Sequence, residues 1–194
     1  MATFFTSDHH FGDAPRLRIE RRPYPDIRAM DEGYVALWNA VVGPDDTVWH
    51  LGDFALTSDH AAAILPRLNG TKHLLAGNND PPGALALPGW ASAGHYAEVT
   101  VDGVGLVLGH YAFRTWNGMG GGGARARRNL HGHSHGKLTR VSRQHDVGVD
   151  VWGGRPVTIA EITRRRGAPL VEAGGRAPAR AGLRRRARAT TVTR

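Results

Sequence analysis

Three times in its first eighty residues the chain drives an apolar segment into a polar turn: TFFTSDHH (3–10), TVWHLGD (47–53) and KHLLAGNND (72–80). Short apolar runs bounded by turn residues read as buried strands. Between the first two, Met30, Tyr34, Leu37, Trp38 and Val41 recur at helical spacing, and Gly43-Pro44 ends that helix. Ser58 is placed to cap a second helix through Leu68, broken by Asn69-Gly70. Pro81-Pro82 closes the third unit. Strand, polar turn, helix, strand is βαβ-type layering around a central sheet. In such sheets chemistry collects at the carboxyl ends of the strands.

The second half has another rhythm. In AEVTVDGVGLVLGH (97–110), Asp102-Gly103 separates two apolar runs and predicts a hairpin. A glycine run, GMGGGG (118–123), reads as a mobile loop. QHDVGVDV (144–151) and PVTIAEI (156–162) read as strands of an antiparallel segment.

At 194 residues one domain with a real core is expected. There is no cysteine, so disulfides and thiolate zinc sites are excluded and any metal must be held by oxygen and nitrogen. No apolar run approaches membrane-span length, and MATFFTSDHH lacks the basic-then-apolar order of a signal peptide. A cytoplasmic protein without membrane contact is therefore expected. The net charge of +8 resides in the C-terminus, where ten arginines and a single acid, Glu172, follow residue 163. Residues 164–194, rich in Ala, Gly, Pro and Arg, read as a flexible basic tail able to touch nucleic acid or another polyanion. The folded domain is expected to span 1–163.

Residues 131–136, HGHSHG, pose a chemical question. His133 and His135, two apart, point the same way in an extended segment, and neutral imidazole is a common ligand for Zn, Mn, Fe and Ni. The turn residues Asp8, His10, Asp53, Asn78, His110, His133 and His135 together offer seven oxygen or nitrogen ligands from five separate turns. Any one is ordinary turn chemistry; five in an α/β pattern point to a metal centre.

In order, SDHHFGD (7–13), LGDFA (51–55), AGNND (76–80), LGHYA (108–112) and HGHSH (131–135) resemble the motifs of the calcineurin-like metallophosphoesterase superfamily. Trp38-Asn39 and GVDVW (148–152), followed by Pro156-Val157, bring it closest to the compact bacterial and phage type. The resemblance implies an α/β fold, a four-layer αββα sandwich of mixed sheets, with two divalent ions at one edge. Asp8, His10 and His135 would hold one ion, Asn78, His110 and His133 the other, and Asp53 would bridge them. Mixed nitrogen and oxygen donors without thiolate suit Mn, Fe, Ni or Zn, and Mn²⁺ is the working expectation among them. The implied activity is hydrolysis of a phosphodiester by a hydroxide bridging the two metals.

The chain departs from the family pattern at Asn79, where many members carry a histidine near the leaving group. That departure favours diesters over monoesters, with His9 able to compensate in catalysis. Arg125, Arg127 and Arg128, after the glycine loop, are candidates to grip the substrate's phosphate. The alternatives are a phosphomonoesterase, or a weakly catalytic metal-binding scaffold whose tail supplies nucleic-acid affinity.

Overall fold

The computed structural model describes residues 1–165. The first half contains β1 (Thr3–Thr6), α1 (Ala14–Ile19), α2 (Ile27–Asn39), β2 (Thr47–His50), α3 (Ser58–Ile64), β3 (Thr71–Leu75), α4 (Pro82–Leu85) and β4 (Trp90–Gly94). The second contains β5 (Tyr96–Val101), β6 (Val104–Gly109), β7 (Arg127–His131), β8 (Gln144–Asp146), β9 (Val157–Thr158) and α5 (Ile159–Arg164). Two mixed sheets result, as expected for the α/β class. The first has the order β4-β3-β2-β1-β9, parallel except for β9. The second has the order β5-β6-β7-β8, parallel except for β5.

Neighbouring residues divide the core between two layers. Phe4, Val48 and Leu74 pack with α2 and α3 residues Met30, Tyr34, Trp38, Ala61 and Ile64. Phe5, Leu51 and Leu75 pack with Leu106, Leu108 and Leu130 of the other sheet and with Val147 just after β8. Alternate side chains leave opposite faces of a strand, so a strand covered on both faces reads as an unbroken apolar run. That is why the first three segments are so legible. The segment after β6 is tied to β7 of the second sheet: Phe113 N–H donates to Asn129 Oδ1 (3.1 Å) and Trp116 Nε1 to the Arg127 carbonyl (3.1 Å), while Tyr96, Glu98 and Thr100 on the outward side of β5 stay exposed.

The expected hairpin is β5–β6, with Asp102 and Gly103 both at positive φ (50° and 76°), the geometry of a tight two-residue turn. The C-terminal segments differ from the reading. β8 runs parallel to β7, and residues 151–154 form a turn. PVTIAEI gives only two strand residues before α5 begins, because Thr158 and Glu161 form a capping box. Glu161 Oε2 accepts from Thr158 N (2.9 Å), and Thr158 Oγ1 accepts from Glu161 N (3.4 Å). Elsewhere α1 and β4 are additional elements, and Thr57 rather than Ser58 caps α3. α5 crosses residue 163, and Arg165 lies over the Trp152 ring at 4.3 Å; the remainder of the expected tail, 166–194, lies outside the described residues. No helix among the described residues is long and apolar enough to cross a membrane.

Leu130 is fully buried between the sheets. Leu130→Ala is expected to cost about 2–5 kcal/mol, read as a lower denaturant midpoint at unchanged slope.

Candidate metal centre

The turns that follow β1, β2, β3, β6 and β7 meet at one edge of the two sheets. Asp8 N donates to the Gly52 carbonyl and His10 N to that of Asp53 (3.0 Å each), tying the first turn to the second. Gly132 N donates to the His110 carbonyl (2.9 Å), tying the fifth to the fourth. Residue 7 bridges to residue 148, joining the sheets directly.

The turns are tight. Eight non-glycine residues among those described have positive φ, and five of them are expected ligands: Asp8 (62°), His10 (53°), Asp53 (55°), His133 (65°) and His135 (48°). This conformation costs energy for residues with a Cβ and persists where surroundings enforce it. Carboxylates brace the neighbouring backbone. Asp80 accepts the backbone N–H groups of Asp53 (2.8 Å), Phe54 (2.7 Å) and Gly77 (2.8 Å). Asp146 accepts from Ser134 Oγ, Gly136 N and Gly148 N, each at 2.8 Å. Gly132 must be glycine: a Cβ there would lie 1.7 Å from Ser7 Oγ.

Two donor groups result, Asp8–His10–His135 and Asp53–His110–His133, each with ligand atoms within 4.8 Å of one another. Asp53 Oδ2 stands between them, 3.5 Å from His10 Nε2 and 3.5 Å from His110 Nε2. Asn78 Oδ1 is 3.0 Å from His110 Nε2. All seven expected ligands therefore converge.

Hydrogen bonds to the far side of the rings fix which nitrogen is free. His110 Nδ1 lies 2.8 Å from the Leu51 carbonyl, so it carries the proton and Nε2 presents its lone pair. His135 Nδ1 donates to Asp150 Oδ2 (2.7 Å), so the neutral ring presents Nε2; burial opposes the ring's charge, but Asp150 and Asp8 outweigh it and raise the pKa, so a cation at Nε2 would compete with a proton there. Arg22 grips Asp150 from the other side, Nε to Oδ1 at 3.0 Å and Nη2 to Oδ2 at 2.8 Å, and donates to the carbonyls of Asp8 and His9. Burial works against the Asp150 charge, but His135 and Arg22 outweigh it and hold the carboxyl at about 2.

The fit to a cation is physical. Burial, aided by Arg22 and Arg16, lowers the His10 pKa to about 2, so its ring is neutral. Its Nε2 is buried without a hydrogen-bond partner. Burial, with Asp146 and Asp53 nearby, pushes Asp8 up to about 7 although His135 and the Ser7 hydroxyl favour its charge. An ion between these groups would satisfy both the orphaned imidazole and the buried carboxylate.

Asn79 donates its backbone N–H to Asp53 Oδ1 (2.9 Å) and its side-chain amide to Asp53 Oδ2 (2.7 Å). The other expected helpers are not brought here. His9 is fully buried among Phe11, Tyr34 and Trp38, hydrogen-bonded through Nδ1 to His50 Nε2 (2.9 Å). Its position beside a ligand in sequence puts it on the opposite face. Arg127 pairs with Glu98 (3.0 Å) and Arg128 contacts His145 (3.3 Å), both at the start of β7, the end remote from His133. Arg125 precedes them in a 3₁₀ turn. Burial comes first in lowering both His10 and His133, and Arg16 of α1 adds to it behind nearer groups; its guanidinium pairs with Glu20 at 3.4 Å, and its backbone N–H is capped by Asp13, whose other oxygen is 3.5 Å from His10 Nδ1. Sequence reasoning missed Arg16, Arg22, Asp80, Asp146 and Asp150. GVDVW and GNND contain the last and the first of these carboxylates, so a signal existed for them; the arginines carry none.

No protein-family model matches the chain. It is 30% identical over 195 residues to the gene 66 protein of Mycobacterium phage L5, covering 82% of this chain and 91% of that one. The gene 66 protein of Mycobacterium phage D29 is 29% identical over 77% of this chain and 88% of its own. A solved protein of unknown function from Aquifex aeolicus shares the fold, with a TM-score of 0.65 and 19% identity over 84% of this chain and 97% of its own. An archaeal phosphodiesterase overlaps at a TM-score of only 0.45, with 18% identity over 76% of this chain and 82% of its own, too little to bear on function.

Asp150→Asn should weaken divalent-metal binding at the His135 group by about 10- to 100-fold, the usual consequence of losing a carboxylate that orients a ligating histidine. Competition titration against a chelating dye reads this. Unchanged affinity in a folded variant would remove Asp150 from the orienting role.

Proposed function

The chain belongs to the family of the gene 66 protein of Mycobacterium phage L5, and we propose that it is a dinuclear metal-dependent phosphoesterase that prefers phosphodiesters. The observation that carries this reading is Asp53 Oδ2 standing 3.5 Å from a histidine nitrogen of each donor group. A carboxylate so placed is suited to be shared by two cations. Asp8, His10 and His135 would hold one ion; Asn78, His110 and His133 the other. Nitrogen and oxygen donors without thiolate suit Mn²⁺, with Fe, Ni or Zn also compatible. Two bound divalent ions would supply Lewis-acid polarisation of a phosphate ester and a water of lowered pKa.

The chain's own groups would do the rest. Asp150 and Leu51 keep the ring protons of His135 and His110 on the side away from the centre. Asn79 steadies both oxygens of Asp53. An amide is no proton donor at neutral pH, and this one is committed to a carboxylate. The leaving oxygen therefore receives no acid from residue 79. An ester with a good leaving group needs little such help, while a positioned acid is worth about 10²–10⁴ in rate for a poor one. Arg16, paired with Glu20 at 3.4 Å, would add positive field for the ester's anionic oxygens.

Two ions per chain are expected after loading with Mn²⁺, by elemental analysis. Saturation at one would sink the dinuclear reading. Asp53→Asn should reduce occupancy at both groups, and His10→Ala mainly at one. A chelator should abolish hydrolysis of an aryl phosphodiester, and the untreated enzyme should favour that diester over the matching monoester. Asn79→His should move the ratio of kcat/KM toward the monoester by about tenfold or more, within the range a positioned acid supplies, at constant metal content. An unaltered ratio would mean that residue 79 does not set the preference.

A further inference from the structure

Tyr111 follows the ligand His110 directly and is 49% exposed. Its ring meets His133 edge-on at 4.7 Å, 65° between planes, and His110 at 5.1 Å and 70°. It therefore leans on both histidines of the Asp53–His110–His133 group while much of its surface faces solvent. The hydroxyl has no hydrogen-bond partner among the described residues. The other strongly exposed tyrosine, Tyr96, behaves differently: its hydroxyl donates to Glu98 (2.5 Å) on the second sheet. What sets Tyr111 apart is its place: a half-exposed aromatic ring against two donor histidines, with its hydroxyl uncommitted, offers an apolar surface to whatever binds beside them. At the mouth of a phosphate-ester site, the group next to the phosphorus is the ester substituent.

We propose that Tyr111 is a stacking platform for a flat aromatic substituent of the substrate, so that aryl or nucleoside esters bind in preference to alkyl ones. The proposal rests on the phosphoesterase reading above and adds the substrate class to it. Stacking needs the ring and not the hydroxyl, so phenylalanine should replace tyrosine at this position. A residue that merely held His110 and His133 in place would act on every ligand alike.

The test is binding of two hydrolysis-resistant probes, phenylphosphonate and methylphosphonate, to the full chain loaded with Mn²⁺, by calorimetry. Phenylphosphonate is expected to bind roughly five- to tenfold more tightly, the lower range of an aromatic stacking contact. Tyr111→Ala should remove that ratio while leaving methylphosphonate affinity and metal content unchanged, and Tyr111→Phe should retain it. A ratio that survives in the alanine variant, equal weakening of both probes, or no binding of either overturns the proposal. Hydrolysis of an aryl diester, assayed alongside, separates the two readings. An inactive protein with a Tyr111-dependent ratio sinks the phosphoesterase reading alone, and an active enzyme whose ratio ignores Tyr111 sinks this proposal alone.

Discussion

Burying the Asp8 carboxylate at the seam between two sheets is the constraint from which much of the architecture follows. Asp8 is fully buried, and it accepts from the Ser7 hydroxyl and, through both oxygens, from His133 N (3.0 Å each). Those bonds need the fifth turn pressed against the first. The close approach is possible because residues 132 and 148 have no side chain: a Cβ on either would lie 2.7 Å from Asp8 Oδ2. The bridge between Ser7 and Gly148 then sets the sheets at a fixed separation, which Phe5, Leu106, Leu108 and Leu130 fill. The inter-sheet core and the donor cluster are consequences of one contact.

The carboxylates around the cluster divide their work by what they accept. Asp80 and Asp146 take backbone N–H groups and hold turns in shape. Asp150 takes an imidazole N–H and holds a ring in its tautomer. Arg22, almost wholly buried, anchors Asp150 and the carbonyls of Asp8 and His9. A buried guanidinium is costly unless its donors are used, and here four bonds to the first turn and to Asp150 use them. Without its carboxylate partners this cation would repel any ion held by Asp8, so Asp150 serves the site twice.

Much of this was legible in the sequence, for identifiable reasons. Strands buried on both faces leave continuous apolar runs, and the polar turns after them stand out by contrast. All seven expected ligands lie in or beside such turns, so finding the turns located the donors that converge. What failed was direction. Asp8, His9 and His10 are consecutive, and simple alternation sends His9 into the apolar core while its two neighbours face the cluster, so nearness to a ligand in sequence was the wrong guide. The three arginines after the glycine loop were misplaced for a topological reason. β7 runs toward the cluster, so residues at its start lie a strand's length from its end, roughly 13–17 Å at about 3.3 Å per residue. PVTIAEI was misread because β-branched residues favour strands, while the decisive Thr158–Glu161 pair is a helix signal hidden within them.

His9 and His50 show how the core side of the site is wired. Gly52 N donates to His50 Nδ1 (3.2 Å), so the His50 proton resides on Nε2 and is given to His9 Nδ1. His9 then carries its own proton on Nε2, which is buried without a partner. Burial, and then the His50 ring, depress the pKa of His9 well below its ordinary value; burial, and then His110, bring His50 to about 3. Both rings are neutral, and together they form a polar stitch from the first turn to the second, beneath the ligands and inside apolar packing. An aliphatic pair of similar size could fill that space. It could not connect residue 9 to residue 52 through hydrogen bonds. The orphaned His9 Nε2 is the penalty for that stitch, accepted at a place where the backbone on either side bends into conformations it would not adopt alone.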